Sequence, residues 1–302
     1  MDLVGLLILI SFVKYGEAVR PLLKSIKISE NVIYDCVDIY KQPSLSHPLL
    51  KNHTIQIAGM RSEGNGLYHG TSALLSTHYL KIDPHGVSTY AMQYVIAESN
   101  GQKNTIEAGW MINMDLFGDG RAWSYGSWMG ANGAGCINTK CPGFVQVGNN
   151  NFLSEPLDTT RDKSFIRFSI HQDHATGNWW ITQILKDSKS DIGYWPKELF
   201  DVLGGGATSV GFSGVVRAPP NGPSPPMGNG NLPKDKDPYH SAFFANLEIL
   251  GQDYLSYRAD NFTFNRVIDN EKCYGLRYAG FDNDNVGVYF TYGGPGGNSC
   301  GV

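Results

Sequence analysis

Charged residues are scarce in this chain. Asp, Glu, Lys and Arg make up 17% of its 302 residues, against about 25% in ordinary globular proteins. The few Lys and Arg are scattered and the net charge is −4, so no basic stripe indicates binding to nucleic acid. Glycine (36 residues) and aromatics (12%) are abundant instead. This composition favours tight turns and β-sheets over long helices.

Several common catalytic motifs are also missing. The sequence contains no nucleophile elbow, HExxH helix, P-loop or dinucleotide fingerprint. The glycine run at residues 203–206 lacks the Lys and the strand-to-helix context of a phosphate loop, so it predicts a turn. His171 and His174 are three apart, which puts them on opposite faces of a strand and favours a solvated turn over a metal site. We expect neither a metal nor a cofactor.

Long apolar runs are absent after the N-terminus. The run Leu3–Val13 is too short to span a bilayer and is followed by the small residues Gly16 and Ala18, which predicts a cleaved signal peptide over residues 1–18. Asp2 stands where a positive charge is usual, and the alternative is a buried N-terminal strand or helix. We expect a secreted, soluble protein in the extracellular space or cell wall, with the vacuole as the alternative. Two glycosylation sequons begin at Asn52 and Asn261.

The five cysteines suit an oxidising compartment. Cys136 and Cys141 could close a small loop, and Cys273 and Cys300 bracket the C-terminal segment, which predicts two disulfides and leaves Cys36 over. A zinc site is the alternative, but no second pair or nearby His completes a ligand set.

The chain divides at about residue 54. Residues 19–54 are polar, interrupted by prolines and too few to bury a core, so they predict a pro-segment or a docked appendage with one short hairpin around Glu30-Asn31. Residues 55–302 alternate β-rich stretches with Gly, Asn and Asp clusters. The predicted strands are Thr71–Ile82, Ser88–Ala97, Thr105–Asn113, Phe165–Ser169 and Trp179–Leu185.

Short strands at this spacing predict an all-β, antiparallel two-sheet sandwich. One short helix is expected after Trp195-Pro196, because proline suits the first position of a helix. Residues 219–237 are rich in Pro, Gly and Asn and predict a long surface loop.

Glu107 is the most suggestive single residue. It lies in an apolar, strand-like stretch, where a carboxylate is costly unless it is hydrogen-bonded or functional. Strand alternation puts Thr105, Glu107 and Gly109 on one face, and Ile106 and Trp110 on the other. Glu107 is therefore either an acid/base group on a concave sheet face or an edge-strand residue facing water.

Several short motifs run in order through residues 55–302. They are Asn104-Thr105-Ile106-Glu107-Ala108-Gly109-Trp110, Gly118-Asp119, Gly135-Cys136, Cys141-Pro142-Gly143-Phe144-Val145-Gln146, Gly177-Asn178-Trp179-Trp180, Gly193-Tyr194-Trp195-Pro196, Met227-Gly228-Asn229-Gly230 and Tyr292-Gly293-Gly294-Pro295 with Cys300. Together they resemble the neprosin family of plant secreted glutamic peptidases. The upstream segments Asp35–Pro43 and His47–Asn52 resemble the family's activation peptide.

The resemblance implies a jelly-roll-type β-sandwich of the glutamic-peptidase kind, with a substrate cleft on its concave face. It implies hydrolysis of peptide bonds after proline at acid pH by two glutamates. Glu107 matches the first of these, and Gln93 falls where a polar side chain of the neighbouring strand could orient water. Aromatic side chains suited to proline rings are expected to line the cleft, namely Trp123, Trp128, Tyr125 and Phe212.

The second glutamate of the family is replaced. It lies in a Trp-Gly-Gly-Glu-Val strand, and the matching stretch here places Val215 at its position. Valine can neither give nor take a proton. Two hypotheses follow: a glutamic endopeptidase with altered or weak catalysis, or an inactive relative that binds proline-rich or cell-wall peptides. We expect a monomer whose partner is a proline-containing peptide and which binds no nucleic acid and no membrane.

The linker before the catalytic domain is shorter than in the family's precursors, since His47–Asn52 runs almost directly into Ile55. Either the propeptide is retained or the sequence lacks a segment.

Overall fold

The computed structural model describes the backbone of residues 22–29 and 32–37, and then residues 54–63, 66–82, 87–149, 151–159, 164–219, 222–234, 237, 239–283, 286–298 and 300. The predicted signal peptide and the sequon at Asn52 lie outside these residues.

The described part of the chain is built almost entirely from strands. Their bounds are β1 Leu22–Ser29, β2 Val32–Val37, β3 Thr54–Ser62, β4 Gly70–Ser76, β5 Ser88–Ser99, β6 Gln102–Ile112, β7 Trp123–Met129, β8 Gly135–Ile137, β9 Val145–Gln146, β10 Phe165–Gln172, β11 Trp179–Ile184, β12 Lys189–Trp195, β13 Ser209–Ala218, β14 Ala242–Leu250, β15 Ser256–Arg258, β16 Phe264–Ile268, β17 Gly275–Phe281 and β18 Val288–Gly293. One α-helical turn, α1 (Met114–Phe117), follows β6, and 3-10 turns occupy Ala131–Gly133, Lys197–Leu199 and Ala259–Asn261.

Two large antiparallel sheets pack face to face, which confirms the predicted all-β sandwich. The first has seven strands in the order β16-β3-β13-β5-β6-β7-β8. The second has nine, in the order β17-β18-β14-β4-β10-β11-β12-β9, with β15 paired to β14. Strands β1 and β2 pair separately as an antiparallel hairpin, as predicted for the N-terminal segment.

The core lies between the two sheets. In β6, Ile106, Ala108 and Trp110 are fully buried and face the second sheet, because alternate residues of a strand point to opposite sides. The indole Nε1 of Trp110 donates a 2.8 Å hydrogen bond to the carbonyl oxygen of Ser76 at the end of β4. This alternation leaves Glu107 and its same-face neighbours on the outer side of the seven-stranded sheet.

Two predictions about elements need adjustment. The first predicted strand ends at Ser76 and does not reach Ile82. At this end the N–H of Phe243 in β14 donates to the Ser76 side-chain oxygen, while the Ser76 carbonyl accepts from Trp110. The predicted helix after Pro196 is a single 3-10 turn, Lys197–Leu199.

The predicted surface loop at residues 219–237 is irregular, but its middle is not on the surface. Met227 is fully buried in the core, and Tyr274 donates a 2.8 Å hydrogen bond to the carbonyl of Pro225. Short bridges also join Met227 to Gly294 and Ser224 to Gly297. The segment is therefore anchored to the C-terminal part of the chain.

Both predicted disulfides are present. Cys136 is bonded to Cys141, and Cys273 is bonded to Cys300, with Cα separations of 6.0 and 5.8 Å. The second bond ties the entry to β17 to the C-terminal end of the chain. Within the described ranges, no helix combines the length and apolar character needed to cross a membrane.

Candidate active site

Glu107 lies in the middle of the outer face of the seven-stranded sheet. Its direct neighbours across the ladder are Tyr94 of β5 and Ser127 of β7. The row continues from Tyr94 through Gly211 of β13 to Arg61 of β3. Side chains directly opposite each other in antiparallel strands point to the same face of a sheet. The side chains of this row therefore lie on the same face as the Glu107 carboxyl, at the same height along the strands.

The surroundings of Glu107 favour its protonated form. The side chain is half-buried, and burial raises the pKa of the Glu107 carboxyl above its usual range. Two smaller effects oppose this rise: Ser127 Oγ donates a 3.2 Å hydrogen bond to Glu107 Oε2, and the charge of Lys103 attracts the carboxylate. Among the described residues, no second carboxylate affects this pKa. Glu107 is thus a carboxyl that keeps its proton to higher pH than an exposed glutamate does.

Three tyrosines share the face of Glu107. Tyr94 is its direct partner, Tyr125 lies opposite Gly109, and Tyr90 lies opposite Met111. The rings of Tyr90 and Tyr125 meet edge to face with centroids 6.0 Å apart. Burial, with a smaller contribution from the nearby Glu107 charge, raises the pKa of both phenols. They therefore remain neutral hydroxyls at any pH at which Glu107 titrates.

Val215 is on the same outer face as Glu107. It lies opposite Tyr90 of β5, whereas the residue of β13 at the level of Glu107 is Gly211. Val215 is thus two strands away from Glu107 and four residues further along the strand direction. Ordinary strand spacings put the Cα atoms of Val215 and Glu107 about 16 Å apart. The side chain is buried with five other residues of this face, Met92, Tyr94, Ile96, Met111 and Tyr125.

Trp123 of β7 also lies on this face, opposite Met111. Its ring stacks on Phe117 of α1 with centroids 5.3 Å apart, and its Nε1 donates to Asp119. Trp123 and Tyr125 are therefore the two predicted cleft aromatics that share the face of Glu107.

Gln93 is not on that face, which corrects the expectation that it orients water beside Glu107. Its neighbour Tyr94 points to Glu107, so Gln93 points into the core between the sheets. There it is completely buried, accepts a 2.6 Å hydrogen bond from Thr71 Oγ1 and donates a 2.8 Å bond to the carbonyl of Phe168. Its role is to join the two sheets.

Two of the predicted cleft aromatics also face the core. Trp128 lies opposite Ile106 and packs edge to face on Phe200, with centroids 6.1 Å apart. Phe212 lies opposite Gln93, is fully buried and has its ring 6.2 Å from that of Phe244. Both predictions were wrong for the same reason: each residue occupies the inward position of its strand.

Sequence reasoning missed Tyr90 and Tyr94 as neighbours of Glu107. The signal was present in the alternation of Tyr90, Met92 and Tyr94, but it can be interpreted only once the β5–β6 register is known. It also missed Arg61, which lies in the Glu107 row between Gly211 of β13 and Asn265 of β16 and lines a polar cavity of about 440 Å³ with Ser62 and Ser209.

The dispersed histidines do not form a metal centre in the described part of the chain, where no group of three or more His, Cys, Asp and Glu side chains is placed to hold a metal. His171 is in β10, and His174 lies in the exposed turn that follows. The imidazole of His174 instead meets the ring of Tyr254, with centroids 4.6 Å apart.

The fold and the site together define a β-sandwich with a half-buried glutamate on the outer face of one sheet. Comparison with known proteins gives the family. A model of the Neprosin family matches residues 85–295, which include Glu107 and most strands of both sheets, without β3 and β4. The chain belongs to the neprosin family, and this membership supports a peptidase.

Two solved structures are similar at low identity. One is scytalido-glutamic peptidase with a peptide-based transition-state analogue, at 10% identity, covering 79% of this chain and 97% of the other, with a TM-score of 0.41. Another is SCP-B, a member of the Eqolisin family of peptidases, in complex with the tripeptide Ala-Ile-His, at 11% identity, with the same coverage and a TM-score of 0.39.

Proposed function

We propose that this protein is a glutamic endopeptidase of reduced activity that cleaves extended peptides after proline in weak acid. The observation that supports the proposal is the position of Glu107, a half-buried carboxyl with a raised pKa among tyrosines on one sheet face. Glu107 would be the single acid/base group, because Val215 holds the place of the family's second glutamate.

One carboxyl can serve both proton transfers of the reaction. The Glu107 carboxylate would take a proton from a water molecule as the water oxygen attacks the carbonyl carbon of the peptide bond. The protonated Glu107 would then give that proton to the amide nitrogen as the C–N bond breaks. The products are a carboxylic acid and an amine, and Glu107 returns to its starting state.

The aromatic side chains of this face suit proline. Tyr90 and Trp123, which are both partly exposed, present flat, apolar rings, and a proline ring packs well on such surfaces because it is rigid and has no N–H to satisfy. Preference for proline would therefore come from β5 and β7, on either side of Glu107.

A second candidate is a peptide-binding protein without hydrolysis. The observation that favours it is the burial of Val215, which is 1% exposed within an apolar cluster. The position that matches the family's second glutamate in the motif is part of the apolar packing in this protein. The same face would still bind proline-rich or cell-wall peptides.

Cleavage products separate the two candidates. Purified protein is incubated with a proline-containing peptide and with its Pro→Ala counterpart between about pH 3 and about pH 7, a range that brackets ordinary and raised Glu pKa values, and the products are identified by mass spectrometry. We expect cleavage after proline that is absent in Glu107→Gln. Tight binding by calorimetry without any cleavage would establish the second candidate instead.

We also propose that the protein is secreted, monomeric and glycosylated at Asn261. The two disulfides suit an oxidising compartment, and Asn261 is exposed in the 3-10 turn Ala259–Asn261. Mass spectrometry of the secreted protein before and after deglycosylation tests secretion and glycosylation, and size-exclusion chromatography tests the monomeric state.

A further inference from the structure

The hydroxyl of Tyr125 is buried without a hydrogen-bond partner among the described residues. The side chain is 1% exposed, and its ring is fixed by the edge-to-face contact with Tyr90. A buried polar group without a partner destabilises the folded state, and ordered water or a ligand atom usually satisfies such a group. The position of Tyr125 therefore calls for a polar partner on the outer face.

Glu107 is the acidic group nearest in register. Tyr125 is the diagonal neighbour of Glu107 across the β6–β7 ladder, because Glu107 lies opposite Ser127 and Gly109 lies opposite Tyr125. Diagonal pairs have Cα atoms about 7 to 8 Å apart, within reach of an aromatic side chain. Since Gly109 has no side chain, nothing from β6 stands directly opposite Tyr125.

The electrostatics agree with this geometry. The charge of Glu107 acts on the phenol of Tyr125, and burial together with that charge keeps the Tyr125 pKa well above its ordinary value. The hydroxyl is thus a permanent hydrogen-bond donor. Ser127 Oγ, which already donates to Glu107 Oε2, is a further polar group at the same place.

We propose that Tyr125 Oη and the Glu107 carboxylate together hold the water molecule that attacks the peptide bond. This inference rests on the proposed function and deepens it, because it assigns the second group that fixes the water in a site that has lost its second carboxyl. The Tyr125 hydroxyl donates to the water oxygen, and the water donates one proton to Glu107. The remaining lone pair of the water oxygen faces the substrate carbonyl. Tyr125 is a positioning residue: its own proton stays in place throughout.

Tyr125→Phe removes the hydroxyl and keeps the ring. We expect kcat to fall about 10²-fold, the loss typical of one preorganised hydrogen bond in a catalytic site, while KM stays within about twofold because the peptide does not contact the hydroxyl. An equal loss of kcat in Tyr125→Phe and in the control variant Tyr292→Phe would overturn the proposal.

Tyr292→Phe is the matched control. Tyr292 is also 1% exposed, and its hydroxyl likewise has no hydrogen-bond partner in the described part of the chain, but its ring packs on Phe244 and Phe290 in the core between the sheets. Removing a hydroxyl that truly lacks a partner leaves stability unchanged or raises it. We therefore expect an unchanged or higher Tm in Tyr292→Phe and a lower Tm in Tyr125→Phe. A higher Tm in both variants would contradict the water site.

A crystal structure at high resolution gives a readout that does not depend on turnover. We expect density for one water within hydrogen-bond distance of Tyr125 Oη and Glu107 in the unaltered protein, and its loss in Tyr125→Phe. If no water lies within hydrogen-bond distance of Tyr125 Oη, the proposal is overturned, even if the enzyme is active. If the water is present and no peptide is cleaved, the water site stands and the proposed hydrolysis fails.

Discussion

Val215 and Glu107 lie on the same face of the seven-stranded sheet, two strands apart and four residues apart along the strand direction. Tyr90 lies between them: it is the direct partner of Val215, and the Glu107 charge acts on its phenol. The two positions therefore belong to one surface, although only one of them carries a carboxyl. If Val215 holds the place of the family's second glutamate, as we propose, the difference is a single side chain on the face that carries Glu107.

Restoring that carboxyl should raise activity. Val215→Glu is expected to increase the rate of cleavage after proline by about 10²- to 10⁴-fold, the usual contribution of a positioned acid or base. The substitution buries a polar group and will destabilise the fold, by about 1 to 3 kcal/mol. The measurement is kcat on a proline-containing peptide, with Tm recorded in parallel.

Val215→Gln is the control for this substitution, because glutamine has nearly the same size and polarity as protonated glutamate and cannot transfer a proton. A gain in rate with glutamate but not with glutamine assigns the effect to the carboxyl. Equal gains would mean that repacking of Met92, Met111 and Tyr125 is responsible, and the assignment of Val215 would fail.

The stability of the protein should depend on pH through Glu107. Burial raises the pKa of Glu107 in the folded state above its unfolded value. The favourable contribution of the protonated carboxyl is then complete below the unfolded pKa and is lost as the pH rises through the folded pKa. Glu107→Gln, which is neutral at every pH, should match the unaltered protein in acid and exceed it in stability near neutral pH. Denaturant unfolding of both proteins across that range measures the difference, and parallel curves would refute the raised pKa.

The strands and the face of Glu107 could be predicted because they depend on local alternation. Ile106, Ala108 and Trp110 are apolar and Glu107 is not, and the structure places them on opposite sides as that pattern requires. For residues of the other strands, polarity alone did not indicate which face of the sheet the side chain occupies. Gln93 is polar, yet it points into the core, where Thr71 and Phe168 satisfy its amide.

The two disulfides should differ in their contributions to stability. Cys273–Cys300 spans 27 residues and Cys136–Cys141 spans five. In the chain-entropy account, removing the first by a double Cys→Ala substitution costs about 3.5 kcal/mol and removing the second costs about 2 kcal/mol. Denaturant unfolding measures both losses. A larger loss for the short loop would show that local strain or packing dominates.

Gly109 is expected to be required for the close approach of β6 to β5. A methyl group at this position would collide with the carbonyl oxygen of Ala91, so Gly109→Ala should destabilise the protein by about 1 to 3 kcal/mol. Gly204→Ala is the matched control, since a methyl group there meets nothing within 4 Å. Thermal unfolding of the two variants should show a lower Tm only for the first, and an unchanged Tm in both would contradict the packing described for β5 and β6.

Long-range packing accounts for the other differences between sequence and structure. Met227 lies in a stretch rich in Pro and Gly that reads as a surface loop, but bridges to Gly294 bring its side chain into the core. Trp128 and Phe212 have the aromatic character of cleft residues, but their strand positions point inward. That Val215 stands at the position of the family's second glutamate stays a prediction from the neprosin motif; its side chain lies on the same face as Glu107.

The rate of cleavage after proline as a function of pH, measured for the unaltered protein and for Glu107→Gln, tests the central claim most directly. The account predicts slow cleavage whose acid limb lies above the ordinary Glu pKa of about 4.3, because burial raises the pKa of Glu107, and no cleavage by Glu107→Gln at any pH. Cleavage that survives Glu107→Gln with the same pH profile would contradict the assignment of Glu107 as the catalytic carboxyl.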